Sequence, residues 1–421
     1  GLGEQVWKAL TKLRVGWAFE AGICIVFMAI ILDRLTYAIS GQSKSSFHMG
    51  SGTRFHLLPQ KWDENRFALS IERPIGIIWN LVGAVGTTIT KFLANSLSRL
   101  NKGFGDWLVD RPFLVVGTLL LLSVYLFAGQ IKSINSFPDW LEISIREPID
   151  YAINWLNLNP TFIAITKFIR STVFLYFLDP LDKFLVGLPW WYVMIAVGII
   201  VWVSTSLSFA LVTIAFLFFL AAAGLWEISL FTLAGTSVSV IICLIIGVPL
   251  GIAAAYSKIV DSLLRPILDT MQTLPAFVYL VPALFFFGGN KTTAVIATVV
   301  YSMPPVIRLT TLGLRQLPPE IDEVANSYGS SKTQTLLKVK LPMASPSIML
   351  GLNQSVVMAL AMQAITPLVA GLGLGKEVFD AMNVANMGKG LAAGIGIVLL
   401  TIMLDRLTQG WTKNQRRALG L

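Results

Sequence analysis

The chain has 421 residues, of which 55% are hydrophobic and 13% charged, and its formal net charge is +9. A soluble domain carries about 25% charged residues, so an ordinary water-soluble fold is excluded. Nucleic-acid binding is disfavoured too, because many Lys and Arg residues flank apolar runs and no compact basic block with interleaved aromatics occurs.

Apolar runs of about 20 residues, enough to cross roughly 30 Å of hydrocarbon, recur along the chain and define an all-α polytopic membrane protein. Nine spans are predicted, at 18–39, 112–130, 190–205, 207–224, 229–256, 267–288, 292–312, 346–370 and 390–409. Residues 40–111 carry nine Lys and Arg residues, among them Lys44, Arg73 and Arg111, and are placed in the cytoplasm as a linker with an amphipathic segment. Residues 131–189, with Trp140 and Trp155, are expected to lie along the outer surface, before a hairpin at 190–225 and a core domain at 226–412. The basic tail 413–421 is placed inside, and the loops then alternate consistently.

The chain shows no set for covalent chemistry. Cys24 and Cys243 lie in separate apolar runs, and His48 and His56 share a polar stretch without nearby cysteines. Gly375-Lys376 is not followed by Ser or Thr, so there is no phosphate-binding P-loop. Acidic and histidine residues are almost absent from the middle of the spans, which counts against a proton relay and suits a machine powered from outside the membrane.

The most informative stretch is 317–342, LPPEIDEVANSYGSSKTQTLLKVKLP. Pro318 and Pro319 followed by Glu320, Asp322 and Glu323 form a helix start, with acids at the positive end of the dipole. Ile321, Val324, Ala325 and Tyr328 recur at helical spacing, and Gly329 supplies the left-handed residue that ends the helix. Ser330 or Ser331 is placed to cap a second short helix bearing Leu336, Leu337 and Val339, expected to stop before Leu341-Pro342. The product is a compact cytoplasmic knob between two spans.

Glu323-x-Ala325, Gly329 and Val339-x-Leu341-Pro342 resemble, in order and spacing, the EAA loop of type I ABC importer permeases. Val324 and Val339 depart mildly from the alanine and isoleucine usual there. Residues 226–409 are similar to the glycine betaine/proline/choline branch, in segments such as RPILDTMQTLPAFVYLVP at 265–282, GLGLGKEVF at 371–379 and AGIGIVLLTIMLDRLTQ at 393–409. A departure is the outer turn ending in Lys291, where the branch more often has an apolar residue or proline.

The resemblance implies a five-span transmembrane core in the plasma (inner) membrane and a permease that moves quaternary ammonium solutes. It also implies that Glu323, Val324, Ala325, Gly329, Val339, Leu341 and Pro342 seat a separate ATPase. That subunit would bind ATP and Mg, leaving this chain without a cofactor. An ATPase dimer, an extracytoplasmic solute-binding protein, a second permease domain and membrane lipid are the implied partners. Another small solute, or a scaffold or sensor role, are the competing readings.

Candidate pathway residues are Gln272, Thr273, Pro275, Phe277, Tyr279 and Pro282, which concentrate polar, aromatic and helix-disturbing groups in one span, together with Gln363. Aromatic faces attract quaternary ammonium groups, but Phe277 and Tyr279 fit ordinary packing equally well. Asn353, Gln354 and Gln363 fit either a pathway or interhelical hydrogen bonds, and Arg265 with Asp269 suggests an i,i+4 ion pair.

Residues 1–36 align without gaps on residues 373–408, identical at about half the positions, including Leu-Asp-Arg-Leu-Thr at 32–36 and 404–408. Two similar membrane helices would not preserve that polar end. Residues 1–39 are therefore expected to be the last span of a preceding, duplicated permease domain, with 112–130 as the extra span carrying the chain back across.

Overall fold

The computed structural model describes residues 2–11, 15–41, 117–118, 122–123 and 146–418. The chain forms two compact units, one of Gly1–Tyr37 with Ile145–Leu421 and one of Ala38–Ser144. The expected linker at 40–111 and span at 112–130 fall almost entirely outside the described residues, save helical positions 40–41, 117–118 and 122–123.

Among the described residues every regular element is helical. The first are α1 (Leu2–Thr11), α2 (Val15–Gly41), α3 (Arg146–Leu158), α4 (Pro160–Val173), α5 (Asp179–Gly187), α6 (Trp190–Ser204), α7 (Leu207–Ala222) and α8 (Trp226–Tyr256). Then come α9 (Lys258–Thr273), α10 (Leu280–Phe287), α11 (Lys291–Arg315), α12 (Glu320–Ser327), α13 (Lys332–Gln334), α14 (Leu341–Gln363), α15 (Leu374–Asn383) and α16 (Met387–Ala418).

The centre is a bundle of α8, α11 and α14. In lipid, helices have little hydrophobic drive toward one another, so close backbone approach and interhelical hydrogen bonds hold them. A methyl at Gly251 on α8 would lie 2.6 Å from Thr310 Cβ on α11, and one at Gly351 on α14 would lie 3.1 Å from the Pro305 carbonyl. Thr311 donates to the Gly251 carbonyl at 3.0 Å, and Cys243 Sγ lies 3.3 Å from Ser302 Oγ.

Five described helices are long and apolar enough to cross a membrane, or six if the bent pair α9–α10 is one span. One is Pro160–Gly187, 28 residues of α4 and α5 joined by a π turn, within the region expected to lie along the outer surface. Conversely, α6 and α7, expected as spans, have 15 and 16 residues. At 1.5 Å per residue that reaches only about 23 Å.

The largest difference concerns 267–288, expected as one straight span. The chain turns by 116° between α9 and the stretch Ala276–Phe287. Leu274 precedes proline and takes ψ 130, and Pro275 takes ψ 139, so neither is helical. A proline disfavours the helical conformation in the residue before it and cannot donate to the previous turn. We call this bend the elbow.

The helices α1 and α2 pack on the elbow. Val6, Ala9, Ala18 and Ala21 share a buried cluster with Tyr279, Leu280, Val281, Ala283 and Leu284. Gly16 N–H donates to Asp150 Oδ1 at 2.6 Å, and Arg146 pairs with Glu20, which joins α2 to α3. Far along the chain, the α15–α16 hairpin closes on α6, α7 and α8 through Leu374, Ala393 and Leu400.

Candidate functional site

The knob at 317–342 forms much as its residues dictate. After Pro318 and Pro319, α12 runs to Ser327, and Gly329 ends it at φ 71. The Ser330 N–H reaches back to the Ala325 carbonyl at 3.0 Å and the Gly329 N–H to that of Asn326 at 2.9 Å, closing the left-handed helix stop. Ser331 caps α13 reciprocally with Gln334: Gln334 N–H donates to Ser331 Oγ at 3.3 Å and Ser331 N–H to Gln334 Oε1 at 2.9 Å.

One expectation is corrected. The second knob helix does not stop before Leu341-Pro342; it continues through a π turn, Thr335–Lys340, directly into α14. The widened turn lets Leu341 N–H bond the Leu336 carbonyl, five residues back. Extra room at that point accommodates the proline ring and its missing donor. The knob is thus rigidly continuous with a core helix.

Its apolar residues do not form one buried face. Ala325 is buried, Ile321 half-buried, and Val324 and Tyr328 stand out at 56% and 86% exposure. Glu323 and Pro342 are exposed, while Val339 and Leu341 are half-buried. Lys340 pairs with Asp322 at 2.7 Å and sits 5.3 Å from the centre of the Tyr256 ring at the end of α8. The two limbs are therefore pinned to each other and to the bundle, and what they present outward is partly apolar. Val324 and Tyr328 lie four residues apart, on one side of the knob.

The seven candidate pathway residues are not gathered at one point. Six lie on the elbow. Gln272 and Pro282 are exposed, whereas Thr273, Pro275 and Phe277 are half-buried. Thr273 Oγ1 donates to the Thr270 carbonyl at 3.0 Å. Tyr279 is buried, donates its hydroxyl to the Met271 carbonyl across the bend, and meets the Tyr301 ring edge-on at 5.5 Å. Tyr279 therefore staples the elbow. The seventh, Gln363, is buried at the end of α14, where a methyl on Gly235 would lie 3.2 Å from its Nε2.

Some contacts escaped sequence reasoning. Arg265 bonds Asp261 at 2.9 Å, not Asp269; Asp269 pairs with Arg308, and Arg315 joins Asp261 at 3.0 Å and the Ala254 carbonyl at 2.6 Å. These bonds lash α11 to both α9 and α8. An i,i+4 spacing offers Arg265 two acids, Asp261 and Asp269, and only the fold chooses between them. Lys291, the departure noted at the outer turn, pairs with Asp182 and sits 4.2 Å from the centre of the Phe231 ring. Asn353 accepts from Thr408 on α16, an interhelical bond.

The described residues thus form a bundle of apolar helices bearing a pinned knob with exposed apolar groups. Residues 247–417 match the family described as "Binding-protein-dependent transport system inner membrane component". The glycine betaine/proline betaine transport system permease protein ProW of Escherichia coli K12 is 35% identical over 314 residues, which are 75% of this chain and 84% of that protein. The glycine betaine transport system permease protein OpuAB of Bacillus subtilis is 45% identical over 208 residues, 49% of this chain and 73% of its own length. The trimethylamine N-oxide transport system permease protein TmoV of Ruegeria pomeroyi is 27% identical over 427 residues, 100% of this chain but 56% of TmoV. The chain belongs to the family of binding-protein-dependent, ATP-binding-cassette importer permeases, as a multi-pass inner-membrane transport subunit.

Proposed function

We propose that this chain forms the translocation pathway for glycine betaine or a related quaternary ammonium solute. In this reading a separate ATPase dimer, holding ATP and Mg, docks on the knob and drives transport through Glu323, Val324, Ala325, Gly329, Val339, Leu341 and Pro342. An extracytoplasmic binding protein delivers the solute, and a second permease domain completes the pathway. The knob carries the coupling: its exposed Val324 and Tyr328 need a cover, and the Asp322–Lys340 pair and the helix running into α14 make it a rigid handle.

The cargo rests on the relatives, several of which are glycine betaine permeases by name. Trimethylamine N-oxide is the second cargo reading, because TmoV of Ruegeria pomeroyi aligns with the whole chain. Both solutes present a methylated nitrogen. The elbow side chains Gln272, Thr273, Phe277 and Pro282 are assigned to the pathway wall, with Pro275 and Tyr279 shaping the bend and Gln363 at its far side.

Competition uptake of radiolabelled glycine betaine into vesicles carrying the assembled importer tests this reading. Unlabelled proline betaine, choline or trimethylamine N-oxide is expected to compete, and methionine or taurine is not. Competition by methionine or taurine, with none from the methylated amines, refutes the cargo assignment.

A further inference from the structure

Charge and apolar surface are sorted to opposite sides of α9. Asp261, Arg265 and Asp269 recur every fourth residue, and all three are ion-paired: Arg265 with Asp261, Asp261 also with Arg315 of α11, and Asp269 with Arg308 of α11. The two pairs to α11 set α9 antiparallel to its knob end. Ile259, Leu263 and Ile267 recur at the same spacing and are exposed. Each lies two residues from a charged one, about 200° around the helix, so the two stripes occupy opposite faces. One side of α9 suits hydrocarbon and the other does not.

The Asp269–Arg308 pair also lies deep. The span α11, Lys291–Arg315, has its midpoint at Met303, and Arg308 follows one and a half turns later. Centred in the bilayer, Arg308 is about 8 Å from the midplane, inside the roughly 15 Å of hydrocarbon on that side. Ionised groups at such depth face a bundle interior or a water-filled cavity rather than lipid. The interior is excluded here, because the Asp269 and Arg308 side chains are 59% and 37% exposed. The seam between α9 and α11 therefore opens to water. Gln272, exposed and one turn beyond Asp269, lies on the same side. A carboxylate, a carboxamide and a guanidinium are thus offered together.

We infer that this seam is the inner mouth of the pathway and a transit site for a zwitterionic solute, with Arg308 taking the carboxylate and Asp269 the methylated nitrogen. This rests on the cargo reading proposed above. Without solute the two charges satisfy each other, and an exposed pair holds weakly enough to be exchanged for the solute's own charges. A site this open binds weakly, which suits the release end of a pathway.

The test uses the assembled importer in inside-out vesicles, with single cysteines in a Cys24→Ser background, Cys243 being buried. A charged, membrane-impermeant thiol reagent should modify Gln272→Cys at least about tenfold faster than Leu263→Cys, because the reactive thiolate needs water. Peptide mapping reads the sites, and equal rates or a faster Leu263→Cys overturn the seam. In uptake assays, Arg308→Gln should slow glycine betaine about tenfold, the scale of losing a hydrogen bond to a charged group, while stimulated ATP hydrolysis falls less than about twofold. Arg308→Lys, which keeps the cation, should restore most of the uptake. A merely structural Arg308 would lower uptake and hydrolysis alike, and that result, or no rescue by lysine, overturns the transit site. A parent importer that takes up no glycine betaine faults the cargo reading instead, and the seam then stands or falls on the labelling.

Discussion

Replacing Gly329 by valine isolates the backbone term in the knob. The residue sits at φ 71, and a Cβ there would meet nothing within 4 Å, so no clash is introduced. The cost is conformational: a left-handed residue with a Cβ loses about 1–2 kcal/mol, and β-branching adds to this. That is a factor of roughly 5–30 in the population of a correctly turned knob. Gly329→Asn is the control, because asparagine tolerates the left-handed region. In proteoliposomes, Gly329→Val should lower both uptake and solute-stimulated ATP hydrolysis severalfold, with insertion intact, while Gly329→Asn should retain most of both. Full uptake by the valine variant, or equal damage from asparagine, would refute the argument that the turn transmits force.

Other outcomes follow from the same geometry. Val324→Asp or Tyr328→Asp, at exposed positions, should leave the permease folded but weaken ATPase co-purification about tenfold, the scale of losing a buried apolar anchor. Asp322→Asn removes a half-exposed ion pair worth under about 1 kcal/mol, so uptake should fall by less than fivefold in vesicle assays. Gly251→Leu should cost about 1–3 kcal/mol or more and lower the thermal midpoint in detergent, because a methyl alone would lie 2.6 Å from Thr310 Cβ.

Much of the knob was legible because its signals are local: paired prolines, acids in the first turn, a glycine stop and a serine cap each act within a few residues. The elbow was not. Prolines also lie inside α8, α11 and α14, at Pro249, Pro304, Pro305 and Pro346, and those helices run on. Pro304 and Pro305 are buried and Pro249 is exposed, and α9 itself runs through the exposed Pro266 before it ends at Thr273. A linear pattern does not say which proline breaks a helix. The same holds for charge pairing, where Asp269 left its i,i+4 partner for Arg308 on another helix. The division of the candidate pathway between the elbow and Gln363 likewise depends on that bend.

The central claim is that this permease couples methylated-amine transport to a partner ATPase through the knob. Its most direct test is ATP hydrolysis by the reconstituted importer, measured with binding protein that is empty or loaded with glycine betaine. Loaded binding protein should stimulate hydrolysis in the parent complex, and Tyr328→Asp should lower that stimulation severalfold while the permease remains inserted. Stimulation undiminished by Tyr328→Asp, or indifferent to glycine betaine in the parent, would contradict the account.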